Sequence, residues 1–317
     1  VSVALLSPFP YFGGKRTIAA DVWKWLAFPT QYIEPFCGSA AVLLAAPRIA
    51  PLEVINDSSG FIANFWRATK HQYADVARWA DYPVSHIDLG ARHIWLMAQR
   101  DRIGDALHDP DWPGDAKAAG WWLWGQCCWI GSGWCDWHGQ IPHASNAGMG
   151  VQALGQIPHA SDAGMGEFVT SCGQTAFRWL SRVAKRLERV RIVHGDWTRC
   201  LNNHFGGHDT AVFLDPPYRS CETVYGNIVS IADAVEMWAR KNEHLRIALC
   251  GHYGDYRLPG WHEVKWSRRR FTYSGNKTTA LECVWYSPAC DRQPIQMSWD
   301  DMWRKPFDWE KLEKKQS

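Results

Sequence analysis

The sequence predicts an α/β protein built on an open, mostly parallel sheet, interrupted by an inserted segment of different character. Three observations carry the prediction. Short apolar, β-branched runs recur along the chain, several end in turns bearing an acid, and helical periodicity separates them at both ends of the chain but fails in the middle. The first run, Gln31 to Glu34, leads into Pro35-Phe36-Cys37-Gly38-Ser39 and the small-residue helical pattern Ala40 to Ala46. Leu52 to Ile55 follows, ending in Asn56-Asp57 before a helical pattern from Ser59 to about Lys70. Arg191 to His194 precedes Gly195-Asp196-Trp197, and Ala211 to Leu214 runs into Asp215-Pro216-Pro217-Tyr218. Leu245 to Cys250, His262 to Trp266 and Glu282 to Tyr286 read as further strands, with helical periodicity over Ile228 to Arg240. Ligands of such sheets bind at the carboxyl ends of the strands, where these turns would gather.

From roughly Ala74 to Leu187 the alternation is lost. Trp121 to Trp134 is dense in tryptophan and punctuated by glycine, and its tryptophans read as the core of an insert rather than a base-stacking surface. Gly139 to Gly150 (GQIPHASNAGMG) recurs as Gly155 to Gly166 (GQIPHASDAGMG), with Asp162 standing where Asn146 stood. Two copies are too few for a self-supporting solenoid, so paired loops or short extended arms are expected. The expected organisation is a core in two parts, 1–75 and 190–290, an inserted irregular region over 76–189, and a tail over 291–317.

Composition narrows the function classes. Hydrophobic residues make up 46% and charged residues 21% of 317, which excludes disordered and collagen-like chains. No apolar run approaches the ~18 residues of a membrane span, and Val1 to Phe12 lacks the basic start of a secretory signal. Net charge is only +2, so a polyanion must be met by local patches rather than by bulk charge. The ten cysteines are scattered through apolar segments and read as reduced thiols of a cytoplasmic protein. Cys128, Cys135 and His138 lack the spacing of a metal site, and no metal is expected.

The motifs point to amine chemistry. In Asp215-Pro216-Pro217-Tyr218 two prolines supply no donors and stiffen the chain, so a carboxylate and carbonyls form an acceptor-only pocket suited to the two protons of an exocyclic amino group. Tyr218 adds a face on which a planar ring can stack. Glu34 can bind an ammonium group or fix its turn, and Gly38 allows close backbone approach. Asp57 ends the second strand, either to grip ribose hydroxyls or to cap the next helix. Tyr11-Phe12-Gly13-Gly14-Lys15-Arg16 is a glycine turn that presents two cations, without the spacing of a P-loop.

In their order, Phe12-Gly13-Gly14-Lys15, Glu34-Pro35-Phe36-Cys37-Gly38-Ser39, Asn56-Asp57, Gly195-Asp196-Trp197 and Asp215-Pro216-Pro217-Tyr218, these motifs resemble the Dam-type (D12 class, α-group) DNA adenine N6-methyltransferases. The resemblance covers about Tyr11 to Lys70 and Val190 to Pro288; Tyr11-Phe12 stands where that family often has Trp-Ala. It implies a Rossmann-like class I methyltransferase sheet with an inserted target-recognition region, S-adenosylmethionine as cofactor and double-stranded DNA as partner, in a monomer or weak homodimer. Under it, Lys15 with Tyr11, Phe12, Gly13 and Gly14 would hold the cofactor's carboxylate. Glu34, Pro35, Phe36 and Gly38 would line its methionine part, Asp57 would take its ribose, and Asp196 with Trp197 its adenine. Asp215, Pro216, Pro217 and Tyr218 would hold a flipped target base. The middle segment does not match the family's recognition domain, so no target sequence carries over.

Phosphate contacts are expected from two clusters, Arg178, Arg182, Lys185, Arg186, Arg189 and Arg191, and Arg268, Arg269, Arg270 with Tyr273. The same pocket chemistry serves cytosine N4, RNA or a glutamine amide, and a silent DNA-binding homologue would keep the fold. The duplicated segment hints at a phage or restriction-modification setting.

Overall fold

The structure, a computed structural model, describes residues 5, 7–9, 11, 14–82, 85–128, 134–135, 174–201, 209–219, 230–267 and 281–291. Phe12, Gly13, the duplicated dodecamers, Arg268 to Arg270, Tyr273 and the tail beyond Asp291 lie outside the described residues.

Seven strands, β1 (Gln31–Glu34), β2 (Leu52–Asp57), β3 (Val190–His194), β4 (Thr210–Leu214), β5 (Arg246–His252), β6 (His262–Ser267) and β7 (Leu281–Tyr286), form one sheet in the order β3-β2-β1-β4-β5-β7-β6. The first five positions pair in parallel, and β7 runs antiparallel between β5 and β6. This is the Rossmann-like methyltransferase arrangement that the motifs imply. The strand order turns back between β1 and β4, which opens a crevice at their carboxyl ends.

Alternation along the strands sends side chains to two cores. Ala211 and Phe213 of β4, Ala248 and Cys250 of β5, and Val284 and Tyr286 of β7 face one core; Val212, Leu214, Ile247, Leu249, Cys283 and Trp285 face the other. Helices α1 (Ala19–Leu26), α2 (Ala41–Leu44), α3 (Gly60–Ala80), α4 (His86–Ala106), α5 (Ala116–Cys128) and α6 (Gln174–Leu187) contribute to the first, and α7 (Ile231–Lys241) covers the second. Ser230 caps α7 by accepting from the Asp233 amide at 3.2 Å. No described helix is long and apolar enough to cross a membrane.

The middle of the chain, expected to be irregular, is mostly helical where it is described. Helix α3 runs ten residues past Lys70, kinking at Gln72 (φ −141°), whose amide donates to the carbonyls of Pro113 at 3.3 Å and Gly114 at 2.8 Å. Helix α5 hid its period because it is apolar around most of its circumference: Ala118, Ala119, Trp122, Leu123, Trp124, Cys127 and Cys128 are all buried. Gly120 lets α5 approach α3 closely, since a Cβ there would stand 2.4 Å from Trp79 Cβ. In α4 the pattern is scrambled, with Ile87 and Ile94 exposed while Arg92 and His93 are buried. The Arg92 guanidinium sits 4.2 Å from the ring centre of Trp124 and 4.5 Å from that of Tyr82. The eight described cysteines are all buried free thiols.

Helix α6 is strongly amphipathic and packs on α3 and β3. It corrects one reading of its basic cluster. Arg178, Arg189 and Arg191 are exposed, but Arg186 is buried and reaches Glu53 of β2 with two bonds, Nη1 to Oε2 at 2.5 Å and Nη2 to Oε1 at 2.8 Å. Its Nη2 also donates to the Leu43 carbonyl at 3.0 Å. A guanidinium in that position serves the core and is withdrawn from phosphate binding.

Candidate active site

The turn after β4 carries the site. Asp215 leaves the sheet at the crevice with a side chain 19% exposed, and the Lys15 ammonium lies 2.8 Å from each of its oxygens. Lys15 follows a turn in which the Gly14 amide donates to the Tyr11 carbonyl at 2.9 Å, so the glycine turn and the acid after β4, 200 residues apart, meet. Burial alone would lower the Lys15 pKa, but Asp215, Cys250 and Glu282 together outweigh that and the net shift is upward, so Lys15 stays a cation. Lys15 is therefore in contact with Asp215, where the resemblance implied a cofactor-carboxylate ligand.

Tyr218 is turned inward and 8% exposed. Its hydroxyl donates to Glu282 Oε2 on β7 at 3.1 Å. Its ring meets His252 edge to face at 4.5 Å, and the Lys15 Nζ stands 5.2 Å from its centre. Burial, then the negative charge of Asp215, Cys250 and Glu282, pushes the phenol well above its ordinary pKa, which keeps it a hydrogen-bond donor. Pro216 is buried and Pro217 exposed.

The turn after β1 is built differently. Glu34 is buried and accepts from the Tyr32 hydroxyl at 3.0 Å and the Leu43 amide at 3.1 Å. Burial raises its carboxyl to about 8. Of the two roles open to Glu34, these bonds serve the fixing of the turn. Gly38 adopts φ +44°, and a Cβ there would strike the Tyr11 ring at 2.7 Å, so only glycine lets that ring lie against the turn. The Trp66 indole donates to the Gly38 carbonyl at 2.9 Å.

Asp57, half-buried at the end of β2, accepts from the Gly38 amide at 2.9 Å and the Ser59 amide at 2.9 Å. It joins two turns rather than capping α3 directly, and burial raises its carboxyl to about 6. Asn56 donates to the carbonyls of Pro35 at 2.9 Å and Gly195 at 3.1 Å, and its buried Oδ1 has no partner among the described residues. Asp196 is exposed and accepts from the Thr198 amide at 2.9 Å. Trp197, expected with Asp196 to hold adenine, is 8% exposed: Phe36 stacks on it at 6.0 Å and Trp238 meets it edge on at 6.2 Å.

Glu282 and His252 escaped the sequence reading. A lone acid in the apolar strand Leu-Glu-Cys-Val-Trp-Tyr was the available signal for Glu282; for His252 it was a polar residue closing β5.

A comparison with curated proteins finds no match. Residues 11–83, less than a quarter of the chain, match the family model described as D12 class N6 adenine-specific DNA methyltransferase. The matched stretch runs from the glycine turn through β1, β2 and α3, the elements that supply Lys15, Gly38 and Asp57. By that match and by the order of its motifs, this stretch of the chain is similar to the D12 class N6 adenine-specific DNA methyltransferases.

Proposed function

We propose that this protein transfers a methyl group from S-adenosylmethionine to the N6 amino group of a flipped adenine in double-stranded DNA. The observation that carries the reading is the meeting of Lys15 and Asp215 at the β1/β4 crevice, which joins the cofactor-side glycine turn to the amine-binding turn.

The residues present suit the cofactor. Its amino, hydroxyl and adenine groups need acceptors and donors on exposed or half-buried turns; Asp57 and Asp196 offer carboxylates there, and Asn56, beside Asp57, ties their two turns together through the Gly195 carbonyl. Asp57 would hold the ribose, Asp196 the adenine, and the Pro35 to Gly38 backbone the methionine part. When bound, the cofactor supplies an electrophilic sulfonium methyl group.

Adenine N6 is a weak nucleophile because its lone pair is delocalised into the ring. Asp215 and the Pro216 carbonyl accept hydrogen bonds from the two amino protons, which concentrates electron density on nitrogen and favours its pyramidal form. A carboxylate has about four acceptor positions, so an oxygen engaged by Lys15 can still accept from the amine. Lys15 holds the carboxylate in place without reorganisation as positive charge develops on N6. Tyr218 offers its ring to the base once the nucleotide is rotated out of the duplex. Positioning does the rest, and no covalent enzyme intermediate is needed.

Incubation of the protein with methyl-labelled S-adenosylmethionine and unmethylated duplex DNA, followed by nucleoside analysis, tests the reading. Label in N6-methyladenine is expected; label confined to cytosine, RNA or protein, or none at all, overturns it.

A further inference from the structure

Glu282 is the one acid on β7, fully buried, and neither the motif order nor the matched segment reaches it. Taking a carboxylate out of water is costly unless hydrogen bonds offset the loss. Here one offsetting bond comes from the Tyr218 hydroxyl at 3.1 Å, on the residue that closes the amine-binding turn. A phenol hydroxyl contributes nothing to the stacking face of its ring, so a buried acid placed to receive it acts on where the ring points. His252 against the ring edge and Lys15 near its face leave the hydroxyl as the remaining handle on its orientation.

We infer that Glu282 is a positioning residue for methyl transfer: by accepting from the Tyr218 hydroxyl it holds the ring plane in place before the base arrives. The inference rests on the amine-transfer reading above. Oriented binding of this kind acts on the rate of the chemical step, and small misplacements of a positioning group are costly there. Glu282 thereby reaches the substrate only through Tyr218, so the two residues form one functional unit. Lys15, which already binds Asp215, shares this cluster, and its net upward pKa shift includes a contribution from Glu282.

The test is steady-state methylation of unmethylated duplex DNA by the full chain. Tyr218→Phe is expected to lower kcat about tenfold, with the KM for S-adenosylmethionine changed by less than about twofold. Glu282→Ala is expected to do the same, and the double variant to be no slower than either single one, because both remove the same bond. Glu282→Gln, whose amide oxygen still accepts, is expected to recover most of the loss. Wild-type kcat in Tyr218→Phe, losses that multiply in the double variant, or Glu282→Gln as slow as Glu282→Ala would each overturn the inference while leaving the reaction itself established. Should Glu282→Ala fail to fold, Tyr218→Phe, which lacks a single oxygen, and Glu282→Gln decide the matter. No label from the wild-type protein overturns the transfer reading and this inference with it.

Discussion

Two halves of the crevice use acids in opposite ways. On the β1–β2 side, Glu34 and Asp57 are held by backbone amides and a buried phenol, and burial raises both carboxyls. On the β4 side, Asp215 is gripped by a buried cation, Lys15, and keeps part of its surface open. The first arrangement fixes turns through backbone amides; the second keeps a carboxylate in position through a side-chain cation. An acid at the end of a strand is thus not one kind of residue, and its partners decide which work it does.

The sharpest way to break the structural side of this comparison lies beneath it. Arg186→Met strips Glu53 of its buried partner and is expected to cost about 3–5 kcal/mol, read by urea unfolding. A loss within the range of an exposed pair would show that the helix-to-strand link is not what secures β2. Next in size, Asp215→Asn is expected to lower the methylation rate by about two orders of magnitude, with a melting temperature close to that of the parent. A large loss of stability in that variant would place Asp215 with the turn-building acids and erase the contrast.

The smallest effect concerns pH. Glu34 carries its proton in the folded state up to about 8, while its ordinary value is 4.5. Between those values the unfolded chain binds fewer protons than the folded one, so stability from this group falls as pH rises through that window. Asp57, raised from 3.8 to about 6, adds a decline over its own lower range. Glu34→Gln is expected to flatten the decline between pH 6 and 8 in thermal melts, and an unchanged slope would mean that Glu34 is ionised within its turn.

Much of the sheet was legible because its strands are short, apolar and closed by distinctive turns. β1, β2 and β4 are recovered within two residues at each end, and the turn after β4 lies where its two prolines suggested. The helical insert was hidden by composition, since α5 is apolar nearly all round and α4 buries Arg92 among aromatic rings while exposing isoleucines. Neither leaves the polar stripe from which a helix is read. The site was legible as a set of motifs but not as a set of contacts. Lys15 with Asp215 and Tyr218 with Glu282 span 200 and 64 residues, distances over which spacing carries no information. The surroundings of Trp197 were illegible for a related reason: Phe36 and Trp238, which pack on it, are far away in the chain.

The insertion of β7 between β5 and β6 has a consequence for biosynthesis. On the ribosome, β4 and its turn emerge 64 residues before the strand bearing the acceptor for Tyr218. At translation speeds of about 5–20 residues per second, the growing polypeptide spends roughly 3 to 13 s with that tyrosine untethered, and β5, once made, presents a bare edge until β7 follows. On the proposed reaction, competence would then be acquired late, after β7 has slotted in between β5 and β6.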